Sequence, residues 1–452
     1  MKDRKIKTNP WLWVPTLYFA EGIPYFIVNN ISVIMFTRMG MPKGEMAMLT
    51  GLLYLPWVIK PLWSPFVDII RTKRWWVLAM QFIMAAAFAF AALSLPGQYV
   101  PSEVVSLTEN ISEALPDGST PASLFILTLI LFFITAFASA THDIAADGFY
   151  MLALDNKEQS LFVGIRSTFY RLSSIFGQGV LVVVAGILET RLDNIPRAWS
   201  ATLLICSALF TIIALSHLFS LPKPSADSRR ENIAEGAKGI LSEFGRTFVT
   251  FFKKPHIISA MLFMLLYRLP EALSVKMLNP FLLDSVENGG LAMSTEAVGI
   301  AYGTAGVIAL TVGGIIGGAA ASRYGLRKML WPMAASLALP CSVYLYMSIA
   351  QPSNLILIST CIAIDQFGYG FGFTAYMIYL MHFSEGQFTT SHYSLCTAFM
   401  ALSMMIPGMV AGYLSESLGY VGFFVLVMLC CLATAAVTAK AYSNEKQSEK
   451  KQ

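Results

Sequence analysis

Charge is what this sequence has least of. Only 13% of its 452 residues are Asp, Glu, Lys or Arg, against 56% hydrophobic, a balance that excludes an ordinary soluble domain. Cysteine is also scarce. The six, Cys206, Cys341, Cys361, Cys396, Cys430 and Cys431, all fall in apolar runs with no metal-ligand spacing, so free thiols and no metal site are expected. No G-x-x-x-x-G-K-[ST] string occurs, which argues against ATP-driven chemistry, and no cofactor is expected. Basic residues are absent from the stretch "PGQYVPSEVVSLTENISEALPDGSTP", which carries Glu103, Glu109, Glu113 and Asp117 and one sequon at Asn110. The net charge of +4 is accounted for by other loops and needs no nucleic-acid partner.

What is present is a series of long apolar runs, each able to cross ~30 Å of hydrocarbon as a helix. They fall at Trp11–Thr37, Ala47–Ile70, Trp75–Leu95, Ala122–Leu152, Leu161–Leu188, Trp199–Leu221, His256–Leu283, Ala297–Ala321, Met329–Ala350, Asn354–Met381, His392–Leu414 and Tyr420–Ala441. The expected class is therefore an all-α integral membrane protein with twelve transmembrane helices. The basic N-terminus precedes an apolar run too long for a signal-peptide core, so it is read as the first span. Lys and Arg cluster on one side: at residues 2–7, at Arg71, Lys73 and Arg74, in the central loop, at Arg323, Arg327 and Lys328, and in the tail. Arg38, Lys43, Arg191 and Arg197 are the few basic residues opposite, which predicts cytoplasmic termini in a cell inner membrane.

The polar segment between Leu221 and His256 divides six helices from six. The expected organisation is a six-helix bundle over 1–221, a linker over 222–255 with an interfacial helix at Asn232–Phe252, a second bundle over 256–441, and a tail over 442–452. "SPFVDIIRTKR" aligns with "GAAASRYGLRK", so Asp68 falls on Ser322 and Arg74 on Lys328. This spacing resembles the loop signature G-x-x-x-D-R-x-G-R-R of the major facilitator superfamily, although the first copy lacks the glycines and the second the aspartate. Asp68 is accordingly a gating candidate.

Ionisable residues inside a membrane cost ~2.5–3.5 kcal/mol each on insertion scales, so they mark pathways or partners. Here they are Glu21, Lys60, His142, Asp143, Asp147, Arg166, Arg171, Arg268, Glu271, Lys276 and Asp365. In two equivalent halves, helices one, four, seven and ten correspond, and each carries at least one. Helices four and five form a hairpin closed by "LDNKEQS", so depth matching sets Asp143 opposite Arg171 and Asp147 opposite Arg166. Asp147 with Arg166 reads as a bridge locking helix ends, a gating role. Asp143 beside His142 reads as a proton site, because a carboxylate and an imidazole buried together can exchange a proton near neutral pH.

Glu21 sits in "YFAEGIPYFIVNN", where Gly22 and Pro24 produce either a simple kink or a discontinuous helix at a binding site, with Tyr25 and Asn29 at hand. Arg268 and Glu271, spaced i, i+3, either satisfy each other or present a guanidinium to an anionic substrate. "DQFGYGFGFTAYMIYLMH" supplies Asp365 and Gln366, and its glycine stripe either packs helices closely or leaves Tyr376 and neighbouring aromatics facing a sugar ring.

Three strings, "KPLWSPFVD", "ATHDIAAD" and "YRLS", resemble the AmpG muropeptide permeases and the related acetyl-coenzyme A transporter family. The resemblance implies a twelve-helix major facilitator fold and proton-driven import of cell-wall breakdown products, N-acetylated or anhydromuramyl sugars and glycopeptides. It implies that Asp143 and Asp147 are the family's paired aspartates and Lys60 and Arg171 its basic positions, with His142 in place of a glutamine. The reading is a monomeric secondary transporter, not an enzyme, with Asp143, Glu21 and His142 handling protons. Substrate falls to Arg171, Lys60, Arg268, Glu271, Asp365, Gln366, Tyr25, Asn29 and Tyr376. An acetyl-coenzyme A or other anion carrier is the alternative, and a membrane-embedded transferase using His142 and Asp143 a remote one.

Overall fold

The computed structural model describes residues 9–95, 121–224, 227, 245–385 and 389–449. Outside them lie the acidic loop with Asn110, most of the central linker and both extreme termini; the side chain of Asp68 is likewise not described. Among the described residues there are helices and no strands.

Eleven helical stretches among the described residues are long and apolar enough to cross a membrane, and the last, His392–Asn444, is two helices meeting at Gly419, whose φ of 66° suits a residue without a Cβ. Twelve crossings result, as the apolar runs predict. They are α1 (Pro10–Arg38), α2 (43–70), α3 (Lys73–Ser94), α4 (Pro121–Ala153), α5 (156–192), α6 (Ile195–Ser220), α7 (Ile257–Leu283), α8 (Thr295–Tyr324), α9 (Leu326–Ala350), α10 (Leu355–Ser384), α11 (389–418) and α12 (420–449). Of the expected interfacial helix, residues 245–252 are helical and 228–244 lie outside the described residues.

Local chemistry sets the turns. Asp155 accepts from the Glu158 amide at 2.9 Å while Glu158 accepts from the Asp155 amide at 3.1 Å, a capping box that starts α5 directly after α4. Asp227 of the linker accepts from the Lys73 and Arg74 amides at 2.7 and 3.0 Å, satisfying donors that the start of α3 leaves open. Pro24 donates no backbone hydrogen bond, yet α1 continues through it, widening into a π turn at Ile27–Ile31. The helix is therefore distorted and unbroken, and the discontinuous alternative is set aside.

The apolar core shows which face is closed. On the side of the α1–α2 loop, one cluster runs across both halves, joining Met35 and Leu53 to Leu278, Phe281 and Phe424. On the side of the termini it is split into two, one around Trp13 and Phe149 and another around Phe263 and Tyr376. Among the described residues, the buried apolar cluster that joins the two halves thus lies at one end.

Two seams hold that end. Along α5 and α8, π turns at Ile175–Leu181 and Gly299–Gly306 face each other, and a Cβ on Gly303 would fall 1.7 Å from the Gln178 carbonyl oxygen. Along α2 and α11, a Cβ on Gly412 would fall 2.0 Å from the Lys43 oxygen. Polar contacts cap both. Lys43 pairs with Asp284 at 2.6 Å, the Gly44 amide donates to Glu416 at 2.8 Å, and Glu189 accepts from Arg38 at 3.1 Å and from Thr295 at 2.8 Å.

Candidate functional site

Between the halves, beneath the closed end, lies a cavity of about 240 Å³. Its walls are Glu21 and Tyr25 from α1, Tyr54, Trp57 and Lys60 from α2, Ser139 and Asp143 from α4, Tyr170 from α5 and Arg268 from α7. Thr397, Met400, Ala401 and Met404 of α11 complete it.

The cavity is electrostatically divided. On the N-terminal side, Lys60 Nζ donates to Asp143 Oδ2 at 2.5 Å, and Glu21 lines the same cavity. Two acids and one ammonium thus share a small volume. On the C-terminal side, Arg268 donates from Nε to Glu271 at 3.1 Å and from an η nitrogen to the Tyr369 hydroxyl at 2.8 Å, and its guanidinium lies 4.7 Å from the Phe373 ring centre. The guanidinium is thereby fixed in plane and direction. Tyr25 meets Trp57 edge to face at 5.2 Å, giving the floor an aromatic surface.

Depth matching gives one pair and misses another. Arg166 and Asp147 pair at 2.8 Å, with Tyr18 donating to Asp147 at 3.1 Å and the Arg166 guanidinium 4.5 Å over the Tyr18 ring. All three belong to α1, α4 and α5, so this bridge locks one half internally and does not latch the two halves. Among the described residues, the ion pair that crosses between the halves is Lys43 with Asp284. Arg171, expected opposite Asp143, instead turns to α8 and donates to the Thr311 carbonyl at 3.4 Å. Equal depth fixes level and leaves the direction around the helix axis open, and Lys60 is the cation that faces Asp143.

Five further expected substrate contacts, Asp365, Gln366, Tyr376, Glu271 and Asn29, do not line the cavity. Asp365 accepts from the Tyr344 hydroxyl at 2.6 Å and from Gln366 at 3.1 Å, within the interior of the second half. Tyr376 donates to the Met264 carbonyl at 2.6 Å and stacks with Tyr267. Glu271 is buried behind Arg268, and Asn29 lines a separate, smaller void. The glycine stripe of α10 packs against α8 and α9: Gly370 against the Leu310 oxygen and Gly368 against that of Ser336.

His142 faces away from Asp143, since successive helical residues diverge by about 100°. It belongs to a buried polar chain that sequence reasoning missed. Gln81 donates from its amide nitrogen to His142 Nε2 at 3.0 Å and accepts from His217 Nδ1 at 3.0 Å. His217 Nε2 accepts from the Thr16 hydroxyl at 2.8 Å. Gln81, His142 and His217 are all fully buried, so each bond is needed to offset desolvation.

The chain matches the model of the Major Facilitator Superfamily over residues 16–384 and 269–452. A candidate transporter named AmpG 4 in Rickettsia conorii is 23% identical over 440 residues, 95% of each chain. An uncharacterised Haemophilus influenzae protein is 21% identical, covering 90% of this chain and 88% of its own. Among solved structures, a bacterial homologue of the human lysosomal transporter Spinster, in an inward-facing and unoccupied conformation, superposes with a TM-score of 0.68 at 14% identity, covering 97% of each chain. A D-xylose–proton symporter superposes with a TM-score of 0.65 at 11% identity, covering 93% of this chain and 95% of its own.

Proposed function

From the premise that the chain belongs to the Major Facilitator Superfamily, and is AmpG-like within it, we propose a proton-coupled secondary transporter that imports cell-wall-derived muropeptides or amino sugars by alternating access. The observation that carries this reading is the pairing of Lys60 with Asp143 beside Glu21 in a cavity between two halves. The moving units are the bundles of residues 1–221 and 256–441, with both termini on the cytoplasmic side of the inner membrane, and the closed seams then face outward. The protein works as a monomer.

Two carboxyl groups brought together at low dielectric repel when both are ionised and bond when one holds a proton. In the proposed cycle, Glu21 and Asp143 share one proton while the cavity faces outward. Lys60 balances the remaining charge. Release toward the cytoplasm leaves both acids ionised and favours return of the empty carrier. Arg268, held by Glu271 and Tyr369, presents its free edge to an anionic group of the substrate, and Tyr25, Trp57 and Tyr170 offer flat surfaces to sugar rings.

Proteoliposome uptake of labelled anhydromuramyl sugar, anhydromuropeptide and acetyl-coenzyme A, each with and without an inwardly directed proton gradient, tests this. Gradient-driven accumulation of the first two is expected. Accumulation of acetyl-coenzyme A alone would replace this substrate with a nucleotide-linked anion.

A further inference from the structure

A second polar space lies one layer outward of the central cavity, and it holds a lysine with no anionic partner among the described residues. Lys276 of α7 is 5% exposed, and its Nζ makes no hydrogen bond. Asn29 of α1 and Asn279 of α7, each 2% exposed, share the space, and each has an amide oxygen with no donor. The void is about 10 Å³, room for about one water molecule. The acids nearest in sequence are engaged elsewhere, Glu271 by Arg268 and Asp284 by Lys43. Burial without a counter-charge disfavours the ammonium form of this lysine, and the arrival of an anion offsets that cost.

Its place on the route gives this group a use. Tyr54 and Met404 line both the void and the central cavity, so they form the septum between the two. Lys276 lies five residues beyond Glu271, about 7.5 Å along the helix, on the side that the seams close. Parting of α1 from α7 and of α2 from α11 exposes it before Arg268 or Lys60. The donor and acceptor pattern names the ligand chemistry. One ammonium seeks an anion, while two free amide oxygens seek hydroxyl or N–H donors; the amide nitrogen of Asn29 is already committed to the Tyr25 carbonyl at 3.0 Å.

We propose that Lys276, Asn29 and Asn279 form an outer capture subsite for a carboxylate flanked by hydroxyl or amide N–H groups, which the closing seams then pass inward to Arg268. This role presupposes the alternating-access transport proposed above, so its test is independent of the substrate carried.

Asn279→Cys is labelled on intact cells, from the face opposite the termini, with membrane-impermeant anionic (sulfonatoethyl) and cationic (trimethylammonioethyl) methanethiosulfonates. Rates are normalised to those with a free thiol and corrected for the parent chain. The anionic reagent is expected to be favoured by about ten-fold, as a focused positive site favours an anion. The preference should vanish in Asn279→Cys/Lys276→Gln and persist in Asn279→Cys/Lys276→Arg, the second variant guarding against misfolding. Equal preference with and without the lysine, or no labelling above the parent chain, overturns the subsite. In parallel, Lys276→Gln should raise the KM for uptake of N-acetylmuramic acid and leave that for neutral N-acetylglucosamine unchanged. Absence of uptake of both sugars, with the labelling preference intact, would count against the cell-wall substrate and for the anion subsite.

Discussion

Lys60 Nζ and Asp143 Oδ2 stand 2.5 Å apart where α2 meets α4, both on the wall of the central cavity. Removing one partner of such a pair leaves the other charged and unmatched on the cavity wall. Lys60→Gln should therefore reduce the initial uptake rate at least ten-fold, roughly 1.4 kcal/mol or more. Lys60→Arg, which keeps the charge, should recover most of it. Initial-rate uptake at matched expression checks this; an unaltered rate in Lys60→Gln would remove the pair from the mechanism.

Arg268 and Glu271, both at most 5% exposed, form the corresponding pair in the second half. Glu271→Gln frees the guanidinium of its fixed partner, and Arg268→Met strands the carboxylate. Each single variant should lower Tm clearly, by an amount equivalent to about 3–5 kcal/mol. The double variant Arg268→Met/Glu271→Gln should be less destabilised than the sum of the two. Additive losses in a thermal melt would show that the residues do not stabilise each other.

Gly303 admits the Gln178 carbonyl where any Cβ would collide with it at 1.7 Å. Gly303→Ala should keep α5 and α8 apart at the closed end, an overpacking of about 1–3 kcal/mol. The variant is expected to fold, to bind substrate from outside, and to transport at least about ten-fold more slowly. Wild-type transport would mean that this seam does not need to close.

Gln81 bridges His142 and His217, 3.0 Å from each. Gln81→Leu leaves two buried imidazole nitrogens without partners, about 1–3 kcal/mol for each. Tm should fall, and fall less in the triple variant Gln81→Leu/His142→Phe/His217→Phe, where the stranded polar atoms are gone as well. An unchanged Tm in Gln81→Leu would show that the chain contributes no stability.

How much of this was legible in the sequence depended on whether the signal was axial or azimuthal. Lengths of apolar runs gave twelve crossings and the hairpin turn gave the Asp147–Arg166 bridge, because both depend on distance along a helix. Which way a side chain points around the axis was not readable. His142 and Asp143 are adjacent in sequence and face different surroundings, and Arg171 is level with Asp143 yet reaches Thr311. Neutral residues carried no warning: Gln81 is polar without charge, and its role appears only when α3, α4 and α6 are assembled. Thr397, Met400, Ala401 and Met404 do share one helical face, a pattern that marks a stripe without saying that it borders a cavity. Lys43 looked like a stray outer charge until folding brought Asp284 beside it.

The central claim is that a proton held between Glu21 and Asp143 drives uptake. The most direct measurement compares labelled anhydromuramyl sugar in proteoliposomes containing the wild-type protein or Asp143→Asn, under an inwardly directed proton gradient and in gradient-free counterflow. The account predicts that the wild type accumulates sugar above the equilibrium level, while Asp143→Asn exchanges it in counterflow without accumulating it. Equal gradient-driven accumulation by both proteins would contradict it.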